Sequence, residues 1–176
     1  MTDQTTSLTL ADDGKKEYGK GNFKAAAGLF SQAAQAYASA GDELNAAEMK
    51  NNESVAFLQA GDARQALQAV EGTEEVFLKA GDLKRQGIAI SNRAAALEGQ
   101  KKWKEALAEY DRAAALFEQI GEGDMHSLVR TSAANINLKH LRVTDSQLDV
   151  MDSLRLVEKP TLTQRFMKFL MRLGLR

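Results

Sequence analysis

Large and small apolar residues alternate along the chain in a pattern with a 40-residue period. In one stretch the large residues Phe23, Phe30 and Tyr37 alternate with Ala26 and Ala33, at spacings of three and four. The matching residues one and two periods further on are Ala63, Ala66, Val70, Thr73 and Phe77, then Trp103, Ala106, Tyr110, Ala113 and Phe117. These spacings place each set on one face of an α-helix, so the pattern predicts helices that pack alike in successive units.

Short turn sequences divide this pattern into separate helices. A glycine can adopt the left-handed conformation just past a helix end, and an aspartate caps the next helix by accepting hydrogen bonds from its free backbone N–H groups. Ala-Gly-Asp stands at 40–42, 60–62 and 80–82, with weaker versions at 98–100 and 120–122. We therefore predict helices of about 16–18 residues, paired into helix-turn-helix units. Four units result, at about 3–42, 43–82, 83–122 and 123–160.

The repeated unit resembles the tetratricopeptide repeat (TPR). The resemblance rests on Gly14, Gly21, Phe23, Ala26, Phe30 and Ala33 in the first unit and on Ala94, Trp103, Ala106, Tyr110 and Ala113 in the third. In its length, and in phrases such as 25–34, the unit is similar to the longer TPRs of the SNAP-like group. The resemblance covers residues 8–158, after a flexible N-terminus at 1–7. It implies an all-α fold, a right-handed α-solenoid of four TPR-like repeats followed by a C-terminal amphipathic helix.

The composition favours helices and excludes several kinds of site. The chain has 28 alanines, one proline and no cysteine, and alanine is the best helix former while proline is the worst. Without cysteine there are no disulfides, thiolate zinc sites or cysteine nucleophiles. The two histidines, His126 and His140, are far apart in the sequence and lack metal-ligand spacing, and no glycine-rich phosphate loop follows a predicted strand. We therefore expect a protein that is not an enzyme and needs neither a cofactor nor a metal.

Targeting signals are not evident in the sequence. The polar stretch at 1–7 lacks the basic and apolar regions of a secretory signal, and no run approaches the ~18 apolar residues of a membrane-spanning helix. We expect a cytoplasmic protein without a nucleic-acid partner, and a peripheral membrane location stays open.

In the TPR family the first helix of each unit lines the concave face, which usually holds a peptide. Position by position, the resemblance places these peptide-groove candidates there: Lys15, Asn51, Asn52, Val55, Asn92 and Asn135. Asn52 and Asn92 occupy equivalent positions one repeat apart. Because an asparagine offers an acceptor and two donors, the two can pair with an extended peptide backbone. The alternative is that these asparagines are solvated surface residues.

Some TPRs instead grip a C-terminal carboxylate with a set of Lys, Asn and Arg side chains. Lys15 and Asn52 match part of that set, but Ile88 and Asn92 stand where basic residues would be needed. The sequence therefore favours binding of a peptide backbone over binding of a terminal carboxylate.

The end of the chain differs from the repeats in composition. Pro160 is followed by a capping-box pattern at 161–164, which starts a new helix over 161–176. This helix has an apolar stripe opposite a basic one, and its candidates for membrane or partner binding are Arg165, Phe166, Lys168, Phe169, Leu170, Arg172, Leu173 and Arg176. Residues 159–176 carry a charge of +5, whereas residues 1–158 carry −6, so the net charge of −1 conceals a strong asymmetry.

Three roles stay open for the C-terminal helix. It could cap the solenoid, lie on an anionic membrane surface, or insert into a partner or a second copy of the chain. For the whole chain we expect a scaffold or adaptor that binds a protein partner, as a peptide or a helix, in the concave groove. The alternatives are a SNAP-like peripheral membrane adaptor attached through this helix, and a structural protein that assembles into a homo-oligomer.

Overall fold

The computed structural model describes residues 2–138, with side chains from residue 6 onwards. The second helix of the predicted fourth unit and the predicted helix at 161–176 lie outside the described residues. Residues 1–134 form one compact unit. The described helices are α1 Thr2–Gly19, α2 Phe23–Ser39, α3 Glu43–Gln59, α4 Ala63–Val70, α5 Thr73–Ala80, α6 Leu83–Gly99, α7 Trp103–Gln119 and α8 Gly123–Ile136.

These helices repeat with the predicted period. Equivalent helices begin one repeat length apart: α3, α6 and α8 at Glu43, Leu83 and Gly123, and α2, α4 and α7 at Phe23, Ala63 and Trp103. We call α1, α3, α6 and α8 the first helices of the units, and α2, α4 with α5, and α7 the second helices. The first helices α1, α3 and α6 pack against the helices next to them in the chain. The predicted all-α, TPR-like α-solenoid is confirmed.

The Ala-Gly-Asp sequences end and start helices as predicted. Asp42, Asp62 and Asp82 accept hydrogen bonds from the backbone N–H groups three residues later, at 3.1, 3.0 and 2.9 Å. Gly41, Gly61 and Gly81 before them have φ of 76°, 79° and 71°. Each turn therefore combines a left-handed glycine with a capping aspartate, which satisfies backbone groups at both helix ends.

The weaker turn at 98–100 has a different geometry from the one predicted. Gly99 is the last residue of α6, and the left-handed residue is Lys101, with φ of 63°. A Cβ atom added at Gly99 would lie 2.6 Å from the Cβ atom of Ala63. The glycine is therefore needed for the close approach of α6 to the start of α4, and the left-handed conformation after the helix is adopted by Lys101 instead.

Glycines on first helices also receive aromatic rings from second helices. A Cβ atom added at Gly87 would lie 2.7 Å from the ring of Phe117, and one at Gly14 would lie 2.8 Å from the ring of Phe30. Both rings are buried, with 1% and 3% exposed. Because these distances are well below the ~3.5–4.0 Å of a carbon–carbon contact, only glycine lets the rings lie against the backbone. Close contact between a ring of a second helix and a glycine of a first helix thus occurs in both the first and the third unit.

The second helix of the second unit departs from the prediction of a continuous helix. It is split into α4 and α5, of eight residues each. Between them, Glu71 is extended with ψ of 131°, and Gly72 is left-handed with φ of 77°. Gln32 and Arg112 occupy the equivalent positions inside the continuous helices α2 and α7. Glycine adopts this conformation without the strain that a side chain would suffer, so Gly72 permits a break that the other units lack.

Candidate binding surfaces

The first candidate surface consists of residues at three equivalent positions of the first helices, and we call it the first-helix face. Positions four and seven residues apart share one side of a helix, and the repeat carries them from unit to unit. The face comprises Leu8, Asp12 and Lys15 of α1, Glu48, Asn52 and Val55 of α3, Ile88, Asn92 and Ala95 of α6, and Leu128 and Ser132 of α8. Of the predicted groove residues, Lys15 is exposed, and Asn52, Val55 and Asn92 are partly buried. Asn135 is exposed near the end of α8.

Asn51, also predicted to line the groove, does not belong to this face. It is 4% exposed, and its side-chain oxygen accepts a hydrogen bond of 3.1 Å from the hydroxyl of Thr73 in α5. The same hydroxyl donates to the carbonyl oxygen of Val70 at 2.8 Å, so its single proton is shared between two acceptors. Val70 ends α4, and its carbonyl lacks a helical partner because of the break. Asn51 is therefore a buried residue that supports the break between α4 and α5, and its assignment as a peptide ligand is wrong.

Asn52 and Asn92 are accessible at the surface, and their side-chain amides form no hydrogen bonds within residues 6–138. They stand at equivalent positions of α3 and α6, and each is partly buried. Within residues 6–138 neither side chain has a hydrogen-bond partner, while the neighbouring Asn51 does. Two amides with unused donors and acceptors thus face the surface one repeat apart.

Apolar side chains flank this pair of amides on the first-helix face. Leu8 is 55% exposed and Leu128 is 63% exposed, and Ile88 is partly buried at the equivalent position of α6. The fourth equivalent residue is Glu48, whose carboxylate accepts a hydrogen bond of 3.1 Å from Arg85. Between Asn52 and Ser132 the face is therefore uncharged and partly apolar.

A second surface lies at the split second helix, and we call it the helix-break cleft. It has a volume of about 770 Å³ and lies between the pair α4 and α5 and the pair α6 and α7. Its apolar lining residues are Leu67, Val70, Ala89, Leu97 and Ala108, and its charged ones are Arg64, Glu71, Glu74, Glu75, Arg93, Lys102, Glu105 and Glu109. The apolar and polar periodicity does not reveal this cleft. The one available signal is Gly72 in the middle of a predicted second helix.

An ion-pair network spans one side of the cleft. Arg112 of α7 donates to Glu74 of α5 at 2.5 Å and to Glu109 at 2.6 Å, and Arg93 of α6 lies 3.8 Å from Glu109. These carboxylates raise the pKa of Arg112 even though partial burial opposes the charge. The network links α5, α6 and α7, so it ties the second half of the split helix to the next unit.

Tyr110 of α7 is buried, with 4% of its surface exposed. Burial, and then the nearby charge of Glu98, raises the pKa of Tyr110, and the phenol donates a hydrogen bond to Glu98 at 2.9 Å.

In the described part of the chain, no three His, Cys, Asp or Glu side chains lie close enough together to bind a metal ion. His126 is partly buried in the first turns of α8, and His140 lies outside the described residues. None of the helices from α1 to α8 is long and apolar enough to cross a membrane.

This arrangement of paired helices is similar to that of known proteins. A crystal structure of a TPR-like protein from Chlorobium tepidum TLS superposes with a TM-score of 0.64, over 77% of this chain and 97% of that one, at 18% sequence identity. No curated protein gives a significant sequence match. The sequence model of soluble NSF attachment protein (SNAP) matches residues 18–146. Because this match covers well over half of the chain, the protein belongs to the SNAP family.

Proposed function

We propose that the chain is a scaffold that holds a peptide or a helix of a partner protein across the first-helix face. Membership of the SNAP family and the TPR-like fold support the scaffold role, since such helical repeats generally bind proteins and carry no catalytic centre. The observation that carries the binding site is the pair of unpartnered amides, Asn52 and Asn92.

Two equivalent amides suit the backbone of a bound peptide. Each can accept from a peptide N–H group and donate to a peptide carbonyl at the same time. Because both amides are already partly buried, the cost of removing their remaining water on peptide binding is small. The peptide backbone then supplies the hydrogen bonds that the amides lack. Ile88 and Leu128 then provide apolar contacts that favour uncharged side chains in the ligand.

This proposal can be tested with peptides selected on the full-length chain from a phage-displayed random library. We expect Asn52→Ala with Asn92→Ala to weaken the affinity of selected peptides by about tenfold or more, because each lost hydrogen bond contributes roughly 1 kcal/mol. The matched control is Gln32→Ala with Gln119→Ala, which removes two exposed amides from second helices. Circular dichroism shows whether both double variants keep the helical fold.

Two outcomes would contradict the proposal. In the first, the Asn52 and Asn92 double variant binds selected peptides within about twofold of the original chain. In the second, the Gln32 and Gln119 double variant weakens binding as much as the asparagine one. Either result would mean that the amides of the first-helix face do not bind the peptide.

We propose as a second role that the chain is a peripheral membrane adaptor. The basic sequence at 159–176, with five cationic and no acidic side chains, supports it. A single basic amphipathic helix gives reversible attachment that depends on anionic lipid. The test is co-sedimentation with anionic and zwitterionic vesicles, with and without residues 161–176. Loss of pelleting on anionic vesicles after truncation is expected, and equal pelleting would exclude this role.

Self-assembly is the third proposed role, and an independent measurement tests it. Sedimentation velocity over a range of concentrations distinguishes a monomer from a concentration-dependent homo-oligomer. Under the self-assembly proposal the sedimentation coefficient rises with concentration. A constant value for a species of the monomer mass, 19.2 kDa, would exclude it.

A further inference from the structure

The second unit departs from the repeat at one point, and a cleft opens there. Its second helix keeps the register of α7, since Phe77 and Phe117 are both buried at equivalent positions. The break nevertheless requires a left-handed Gly72 and a buried polar contact between Asn51 and Thr73. An irregularity in the backbone, such as this helix break, that is stabilised by its own buried hydrogen bond is typical of functional sites.

We propose that the helix-break cleft binds a basic peptide segment of a partner protein, in which lysine or arginine side chains flank apolar ones. Its volume of about 770 Å³ lies within the roughly 300–1,000 Å³ typical of ligand sites. None of the residues that line the cleft belongs to the first-helix face, so this site is separate from that face and does not depend on the function proposed for it.

The floor of the cleft accounts for the apolar part of the ligand. Leu67, Val70, Ala89 and Leu97 line it, and of these Leu67 is the one that is only partly buried. Ala108 of α7 is exposed at its edge. Small and aliphatic side chains of this kind leave room for a leucine-sized group, and removing such a group from water is favourable by about 25 cal/mol per Å².

The rim of the cleft accounts for the basic part of the ligand. Five carboxylates and three cations line the cleft. Arg112 already pairs with Glu74 and Glu109. The other three carboxylates, Glu71, Glu75 and Glu105, are exposed and form no ion pair within residues 6–138.

The carboxylates outnumber the cations on the rim even though Arg64 and Lys102 are also unpaired in that range. Two of the free carboxylates, Glu71 and Glu75, lie on either side of Gly72 at the break. A cleft with apolar walls concentrates the field of its excess charge. We therefore expect the cleft to attract a cationic segment and to repel an acidic one.

Two synthetic peptides of about 16 residues serve as probes, one of leucine and lysine at helical spacing and one of leucine and glutamate. Fluorescence anisotropy of each labelled peptide is measured against the full-length chain. We expect the lysine peptide to bind at least about tenfold more tightly than the glutamate peptide, with an affinity that falls as salt is added.

A matched pair of variants locates the bound peptide. Ala108 lines the cleft and Ala115 does not, and both are exposed on α7. We expect Ala108→Trp to fill the cleft and to weaken binding of the lysine peptide by about tenfold or more, while Ala115→Trp stays within about twofold. Because both substitutions are on the surface of one helix, neither is expected to unfold the chain, and circular dichroism checks this.

A second pair of variants tests the role of charge. Glu71→Gln with Glu75→Gln is expected to weaken the lysine peptide several-fold and to reduce its salt dependence, whereas Glu43→Gln with Glu118→Gln, at exposed sites away from the cleft, is not. Equal effects of the two tryptophan variants, or of the two glutamine pairs, would overturn the proposal, since binding would then follow the overall charge of the chain. Equal affinity for the lysine and glutamate peptides would overturn it as well.

Discussion

The second and third units bury a phenylalanine at the same position of the repeat, yet one has a split second helix and the other a continuous one. Phe77 of α5 and Phe117 of α7 are 0% and 1% exposed, so the break in the second unit leaves the aromatic position of the core unchanged. The units differ on the outer side, where Gly72 replaces the equivalent Arg112, and at one buried contact, where Thr73 binds Asn51 and the equivalent residue of α7 is Ala113. The comparison teaches that in this repeat the core sets the register, while the outer turns of a second helix are free to form a separate surface.

The largest expected effects test whether the two aromatic residues are truly equivalent. We expect Phe77→Ala and Phe117→Ala each to lower the free energy of unfolding by about 3–5 kcal/mol, because each leaves a large cavity. The measurement is urea denaturation followed by circular dichroism. A much smaller loss for Phe77→Ala would show that the split helix packs loosely, and the units would then differ in their cores as well.

A smaller effect is expected at the contact that supports the break. Asn51→Ala removes one of the two acceptors of the Thr73 hydroxyl in a buried site, and we expect it to lower the free energy of unfolding by about 0.5–1.5 kcal/mol, the net contribution of a typical hydrogen bond. The matched control is the adjacent Asn52→Ala, expected to change it by less than about 0.5 kcal/mol. Equal losses for the two variants would contradict a structural role that is special to Asn51.

The contrast between Asn51 and Asn52 separates what local sequence determines from what tertiary packing determines. The repeat period and the capping aspartates both follow from local pattern and helical geometry, and the structure confirms them. Which of two adjacent asparagines faces solvent depends on how α3 meets α5. Without the break at Gly72 in view, that contact could not be foreseen.

The glycines also divide into those whose role the local sequence predicts and those whose role depends on tertiary packing. Gly41 and Gly61 are followed by aspartate, and this pair of signals identifies a turn. Gly99 and Gly72 lack that aspartate, and one allows two helices to approach while the other splits a helix. A single glycine is compatible with several backbone roles, so only the tertiary structure distinguishes them. The sequence pattern therefore does not predict the helix-break cleft, whereas four residues of the first-helix face, Lys15, Asn52, Val55 and Asn92, are among the predicted groove candidates.

The starts of the second helices provide a further, smaller contrast. Asp62 caps α4, whereas Lys102 precedes α7 without a side-chain cap. The hydrogen bond from the backbone N–H of Gln65, and then the one from its side chain, lowers the pKa of Asp62. A carboxyl group whose pKa is lower in the folded state stabilises the fold above its unfolded pKa, and that contribution is lost as the pH falls through the folded pKa.

We therefore expect Asp62→Asn to reduce the fall in Tm between about pH 5 and pH 2, because asparagine keeps a capping oxygen without titrating. The comparison variant Lys102→Asn supplies a cap to α7 that does not titrate either. It should raise Tm slightly at every pH in this range and leave the acid dependence as it is in the original chain. Thermal melts by circular dichroism measure both effects. Unchanged acid dependence in Asp62→Asn would contradict the link between this cap and acid stability.

The smallest expected effect has the opposite sign and compares the first helices of the two units. Ser54 of α3 is 0% exposed, and its hydroxyl has no hydrogen-bond partner within residues 6–138, while Ala94 stands at the equivalent position of α6. A buried hydroxyl without a hydrogen-bond partner loses its contacts with water and gains no hydrogen bond to replace them. We therefore expect Ser54→Ala to leave the free energy of unfolding unchanged or to raise it by up to about 1 kcal/mol. Urea denaturation measures it, and a loss of stability would mean that this hydroxyl is hydrogen-bonded in solution and that the cores of the two units differ at this position.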